Sequence, residues 1–312
     1  MGKHVKRQTP RAMPSPEAVA NAVAGLPQAF VVAGCRGATN AENKEPDFAV
    51  HGTFRFATGG LADLTGKNVV VFVHGYNLTS QECLDEAHDL FSKLQGALQR
   101  DGVNPTTLAY LLFTWPGDTG TIHFDDAQEY AQMSGVALYE LLSQANAARW
   151  SIITHSLGAH VALRAGAILG ERLFRGKGTL RVDRTLLLAA SVEDDVFERP
   201  HRWEEYHFPE AAFGMRLLHI SASRADDVLG GPFRINESDA ALGFCGPESM
   251  DPLVSLARRV GEVSQGTESF AFELHDFSPN SATIMNPELH VFSHGGYWAN
   301  ASQLDYYVNL IR

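Results

Sequence analysis

Thr154-His155-Ser156-Leu157-Gly158 places a serine between an apolar run, 150–154, and a series of small residues. A serine in a tight strand-to-helix turn can serve as an acyl-transfer nucleophile, because the turn lifts its hydroxyl clear of the backbone. Such a turn needs small residues two before and two after the serine, so that strand and helix can approach. Gly158 meets the second requirement, and Thr154, short although not glycine, stands at the first. The competing reading is that Ser156 only caps the following helix.

A second feature lies upstream. Val73-His74-Gly75-Tyr76-Asn77 ends a continuous apolar run at 69–73. A His-Gly turn at the carboxyl end of a buried strand lets the chain fold back and aim an N–H at the serine. The N–H groups of Tyr76 and Leu157 would then form an oxyanion hole. The plain alternative is an ordinary turn with His74 in a structural hydrogen bond. Acyl transfer also needs an acid and a histidine, in the order Ser…Asp/Glu…His. Asp226, just past the apolar run 216–221 and before Val228-Leu229, fits the acid. Asp227 is its neighbour, Asp194 and Asp195 follow an earlier strand, and all three stay open. His294-Gly295-Gly296-Tyr297-Trp298 supplies the base, since its glycines allow the loop to turn the ring over Ser156. His219, His275 and His290 lie in or near apolar runs and read as structural. His155 is directed away from the serine by the turn and is given no proton-transfer role.

These residues need a scaffold of alternating strands and helices. Apolar runs at 30–33, 69–73, 108–114, 150–154, 181–190, 216–221 and 269–274 predict strands, and strict alternation over 48–56 predicts a half-buried strand near an edge. Thr79-Ser80-Gln81-Glu82 is a capping box opening a helix that Asp101-Gly102 ends; further helices are expected over 127–147 and from Leu157 to about Leu169. The rhythm implies right-handed crossovers and an α/β fold, a mostly parallel sheet with helices on both faces. Four prolines mark 1–27 as a tail with one short helix near 16–24, and 28–312 reads as a single domain with a short insertion near 193–214.

Composition removes several classes of function. The 312 residues carry 25 Lys+Arg against 36 Asp+Glu, a net charge of −11 that repels a phosphate backbone, so nucleic acid is not an expected partner. Three widely spaced cysteines, Cys35, Cys83 and Cys245, give neither a disulfide framework nor a cysteine-rich zinc site. No run is long enough for a membrane span, and the first 29 residues lack a signal-peptide core, which points to a cytoplasmic protein. No cofactor or metal is expected, because the chemistry needs none.

Together these residues resemble the α/β-hydrolase superfamily. More closely, the chain is similar to the bacterial family of α/β hydrolases of unknown function with a His-Gly-Tyr-Asn turn and a His-Ser-Leu/Met-Gly elbow. The resemblance is carried by residues 71–77, 113–117, 154–158, 223–229, 274–278 and 294–297, and spans roughly 30–310. It implies an α/β-hydrolase fold and a serine hydrolase with Ser156, His294 and Asp226 as triad, and it tolerates Thr154. After Ala189-Ala190, where that family often has a Pro-Asp step, this chain has Ser191-Val192-Glu193-Asp194-Asp195. The expected activity is carboxylester hydrolysis on a small-molecule substrate of short or medium acyl chain. Two other readings stand beside it: a non-catalytic binding or scaffold protein, and a lipase. The insertion, with Arg199, His201, Arg202, Trp203, Glu204, Glu205, Tyr206 and Phe208, is too polar for an apolar lid.

Overall fold

Asn68 is followed by five consecutive valine or phenylalanine residues, and all five are buried. A strand so apolar on both sides belongs in the middle of a sheet covered on both faces. The computed structural model describes residues 13–22, 29–36, 54–120, 123–198, 206–233, 237, 239–277, 294–299 and 301–311. Its strands are β1 (Ala29–Gly34), β2 (Arg55–Thr58), β3 (Asn68–Val73), β4 (Leu108–Thr114), β5 (Arg149–His155), β6 (Val182–Leu188), β7 (Met215–Ala222) and β8 (Ala271–Asp276). They form one sheet in the order β2-β1-β4-β3-β5-β6-β7-β8. β2 runs antiparallel to β1 at the edge, and every other neighbouring pair is parallel.

The helices are α1 (Pro16–Ala22), α2 (Leu61–Leu64), α3 (Ser80–Arg100), α4 (Phe124–Gln144), α5 (Gly158–Phe174), α6 (Ala211–Gly214), α7 (Leu242–Cys245), α8 (Asp251–Val263) and α9 (Ala301–Ile311). Because side chains alternate along a strand, successive residues feed opposite cores. Val69, Val71 and Val73 join Leu138 and Leu142 of α4 and Val161 and Leu163 of α5. Val70 and Phe72 join Leu90, Phe91 and Leu94 of α3 and Leu304, Tyr307 and Val308 of α9. Thr79 caps α3 as a reciprocal pair: its Oγ1 accepts from Glu82 N at 3.3 Å, and Glu82 Oε2 accepts from Thr79 N at 2.7 Å.

Several elements differ from expectation: the helix expected from Leu157 to about Leu169 runs from Gly158 to Phe174, and the short helices α2, α6 and α7 were not anticipated. The helix expected over 127–147 runs from Phe124 to Gln144. Asp125 and Asp126 suit its positive N-terminal turn although they break the apolar pattern, and Ala145 ends it by turning extended. The last strand lies two residues later than the apolar run indicated, at Ala271–Asp276. α8 was not anticipated, yet Asp251-Pro252 at its start and Leu253, Leu256 and Val260 on its buried side are readable helix signals. Of the expected edge strand at 48–56, residues 48–53 lie outside the described residues, and its end enters β2. α1 buries Val19 in the cluster that contains Leu84 and Phe91.

Candidate active site

The parallel order brings the carboxyl ends of β3, β5, β6, β7 and β8 to one side, and the predicted residues follow them in sequence: Tyr76 after β3, Ser156 and Leu157 after β5, Asp226 after β7 and His294 after β8. Ser156 follows β5 at φ +53°, a left-handed conformation that costs a residue with a β-carbon about 1–3 kcal/mol. Two hydrogen bonds hold it there: Ser156 N–H donates to Leu188 O at 3.0 Å, and Ser191 N–H donates to Ser156 O at 3.2 Å. Gly158 shows why the second residue after the serine must be glycine. A β-carbon there would stand 2.5 Å from Val73 O and 2.6 Å from His74 O, both backbone atoms that cannot swing aside. Gly158→Ala gains at most about 1 kcal/mol of helix propensity against an overlap costing about 3 kcal/mol. A thermal melt should therefore show Tm lower by about 4–8 °C; an unchanged Tm would contradict this packing.

The loop after β3 presses on the same turn. A β-carbon on Gly75 would lie 3.1 Å from Ser156 Cβ. His74 is fully buried and stacks on Trp115 at 5.5 Å and 11°. Its Nε2 accepts from Trp115 N–H at 3.1 Å, so its Nδ1 carries the proton and donates to Gly75 O at 2.8 Å. Trp115 Nε1 donates back to His74 O at 2.8 Å. Burial, then the nearby Arg36 cation, hold the His74 pKa well below the imidazole range, so the ring is a neutral brace. Tyr76 follows Gly75 and Leu157 follows Ser156, and among the described residues no acceptor takes the backbone N–H of either. Tyr76 is held by its hydroxyl, which donates to Gly120 O, and by an edge contact with Phe124.

Asp226 and His294 meet. His294 Nδ1 lies 3.1 and 2.9 Å from the two carboxylate oxygens of a fully buried Asp226. A carboxylate only accepts, so Nδ1 carries the proton and Nε2 presents a lone pair. Oδ1 also accepts from the N–H groups of Val228 (3.1 Å) and Leu229 (3.0 Å), and Oδ2 from the Tyr297 hydroxyl (3.2 Å). Asp227 is exposed. Asp194 takes a hydrogen bond from Cys245 Sγ at 3.3 Å, and Asp195 faces His207 at 4.0 Å. Of the acids weighed from sequence, Asp226 is the one paired with His294. The Ser156 hydroxyl shares its hydrogen bond with Ser191 Oγ at 3.0 Å, not with His294.

Ser191, Glu86 and Tyr297 are the partners that sequence reasoning left out. Ser191 follows the end of β6 just where the Pro-Asp step was missing, and that position was its signal. Glu86 and Tyr297 gave none, being a helix-face carboxylate and a loop aromatic. His160, four residues after the serine, accepts from Gln132 at 2.8 Å, and burial lowers its pKa to about 3. His219 is likewise buried and lowered to about 3, while His290 lies outside the described residues.

Among the described residues, Glu193, Asp195 and His207 bring three ligand-type atoms within 4.8 Å of one another. Burial, then the carboxylates of Glu237, Asp195 and Asp239, push Glu193 up to about 7, so a proton already competes for the place a cation would take. No helix among the described residues is long and apolar enough to cross a membrane. A cavity of about 850 Å³ opens toward the far end of α5, lined by Phe174, Phe197, Phe213, Leu256 and Arg259, and neither Ser156, Asp226 nor His294 lines it. Strain, buried charge and free N–H groups mark the candidate site better than volume does.

A family model described as alpha/beta hydrolase of unknown function (DUF900) matches residues 59–265. An uncharacterized protein of Nostoc sp. is 22% identical over 303 residues, covering 78% of this chain and 74% of that protein. The esterase domain of a Rhodothermus marinus protein is 12% identical at a TM-score of 0.35, covering 79% of this chain and 86% of that one. A bacterial heroin esterase is 14% identical at the same TM-score of 0.35, covering 78% and 73%.

Proposed function

The chain belongs to the family of alpha/beta hydrolases of unknown function (DUF900), whose fold its eight-stranded, mostly parallel sheet shares, and from that membership we propose that it is a serine hydrolase acting on carboxyl esters. The observation that carries the reading is the buried Asp226 gripping His294 Nδ1 at 2.9 and 3.1 Å beside the strained Ser156 turn. A carboxyl so deeply buried, supplied with four donors and closed around one imidazole, has the design of an orienting acid.

In this reading Ser156 Oγ leaves Ser191 and meets His294 Nε2, an adjustment expected as substrate binds, since unliganded sites are often loose. Oγ attacks the ester carbonyl while His294 takes its proton. Asp226 holds the tautomer and stabilises the imidazolium. The N–H groups of Tyr76 and Leu157 receive the oxyanion, each worth about 3 kcal/mol of barrier. The intermediate collapses, the C–O bond to the alcohol breaks, and the departing oxygen takes the proton from His294. Water then attacks the acyl-enzyme, giving its proton to His294, and the acid and free Ser156 are released.

The polar insertion near 193–214 favours short or medium acyl chains and activity independent of a lipid interface. A panel of p-nitrophenyl esters from acetate to palmitate, with and without detergent micelles, tests this. The expected result is highest kcat/KM at acetate to hexanoate, falling by about tenfold or more at palmitate, with no micellar activation. Activity that appears only with long chains above the micellar threshold would make the protein a lipase. Inactivity of folded protein across the panel would favour the binding or scaffold reading.

A further inference from the structure

His155 closes β5 immediately before the serine, and its imidazole is turned away from Ser156 and toward α3. The ring is almost wholly enclosed, with 7% of the side chain exposed. Nδ1 lies 3.1 Å from Glu86 Oε1, and Nε2 lies 2.9 Å from the backbone oxygen of His294. Both partners are pure acceptors, since neither a carboxylate nor a carbonyl has a proton to give. Nε2 therefore carries a proton for the His294 carbonyl, while Nδ1 faces the carboxylate at ion-pair distance without an aligned hydrogen bond of its own; the form that suits an acceptor at each nitrogen is the imidazolium, with a proton on both. Glu86 matches that charge, and its second oxygen is buried with no hydrogen-bond partner among the described residues.

We propose that Glu86 and His155 form a second acid–imidazole couple that positions the base by holding the His294 backbone. This rests on the reading of Ser156 and His294 as nucleophile and base. Neither residue touches the substrate; both act through His294.

The segment from His294 to Trp298 has little regular structure of its own, only a single 3₁₀ turn, Gly296–Trp298. It is fixed by side chains instead. Asp226 holds the His294 ring and the Tyr297 hydroxyl, Tyr297 also donates to Gly243 O at 3.3 Å, and Trp298 Nε1 donates to Asp89 at 2.9 Å. His155 fastens the one backbone group that fixes where the base begins. Its ring also packs at 4.9 Å against the His294 ring and edge-on at 5.2 Å against Trp298. A catalytic base displaced by about 1 Å can lose about a hundredfold in rate, so such an anchor has kinetic weight.

The couple has a built-in limit. A neutral His155 has one N–H for two acceptors and must let one go. Burial opposes the charged ring, the Glu86 carboxylate outweighs it, and the ring's pKa is raised above the usual imidazole value. The ionisable and charged groups around it are Glu86 and, further along α3, Asp89 paired with Lys93; His294 and Asp226 from the two loops; and His74 from the turn after β3. Raising the pH should discharge His155 and release its hold on the His294 carbonyl, with loss of kcat.

Wild type, Glu86→Gln and His155→Gln are compared on a short-chain p-nitrophenyl ester from pH 5 to 10, with melting curves and fluorophosphonate labelling on the same samples. Wild type should show a descending limb of kcat above neutral pH. Glu86→Gln should move that limb to lower pH, because the carboxylate that favours the charged ring is gone. His155→Gln should lack the limb, having no proton to lose, and at pH 7 its kcat should fall about ten- to a hundredfold with KM within about twofold. Nitrogen-15 NMR of the wild-type imidazole at pH 7 should find both ring nitrogens of His155 protonated, whatever the activity. One limb common to all three proteins, unchanged kcat in folded His155→Gln, or a singly protonated ring would overturn the couple alone. Failure of wild type both to label and to turn over ester would remove the hydrolase reading and the couple with it.

Discussion

Ser156→Ala should remain folded, take up no fluorophosphonate label, and hydrolyse esters about ten-thousand- to a millionfold more slowly than wild type. The expectation follows from what alanine keeps and removes. It keeps the β-carbon, so the strain at φ +53° and the two backbone hydrogen bonds to Leu188 and Ser191 persist. It removes Oγ, the one atom able to form an acyl-enzyme, and with it the 3.0 Å contact to Ser191, worth about 1 kcal/mol. Folding and chemistry should thus separate cleanly. Label retained by the alanine variant would place the nucleophile elsewhere, and label absent from wild type would leave the strained turn without a catalytic role.

Asp226→Asn should cost about ten-thousandfold in kcat, against less than about threefold for Asp227→Asn. An asparagine at 226 can still accept from Val228 and Leu229 with its oxygen. Its NH₂ must then replace Oδ2, where the His294 Nδ1–H and the Tyr297 hydroxyl both donate. Donor would face donor, and His294 could relieve the conflict by moving its proton to Nε2, the nitrogen that has to receive the Ser156 proton. The tautomer would be wrong even if the ring stayed in place. Asp227, one residue on, is exposed and has no such position. Parallel measurement of ester hydrolysis decides the matter: a larger loss at Asp227 would exchange the two roles, and equal mild losses would point to Asp194 or Asp195.

The fold was legible where one physical signal dominated. Five apolar residues after Asn68 could only be a doubly covered strand, and the Thr79–Glu82 cap marked the start of α3 to the residue. Boundaries blurred where signals competed, as at Asp125 and Asp126, which oppose the apolar pattern while favouring a helix start. Ser156, Gly158 and the turn at His74-Gly75 were readable because their strain and close approach restrict the residue type. The ties between distant segments were not. Nothing local in Ser191, Glu86 or Tyr297 indicates that folding will carry them to Ser156, His155 and Asp226. His155 was given no proton transfer to the serine, and its grip on a carbonyl 139 positions away is a property of the assembled loops alone.

The pairing of β3 with β4 on one side and β5 on the other also has a meaning for the newborn chain. No hairpin can shelter β3, because both of its partners are parallel and arrive only after a long crossover. Val73 leaves the ribosome some eighty residues ahead of His155, the last residue of β5. At about 5–20 residues per second, that separation lasts about 4–16 s. Through that interval a valine-rich strand has an unpaired edge, the condition in which chains pair with one another instead of with themselves. Yield on expression should therefore depend on translation speed and on holding chaperones more than on the stability of the finished protein.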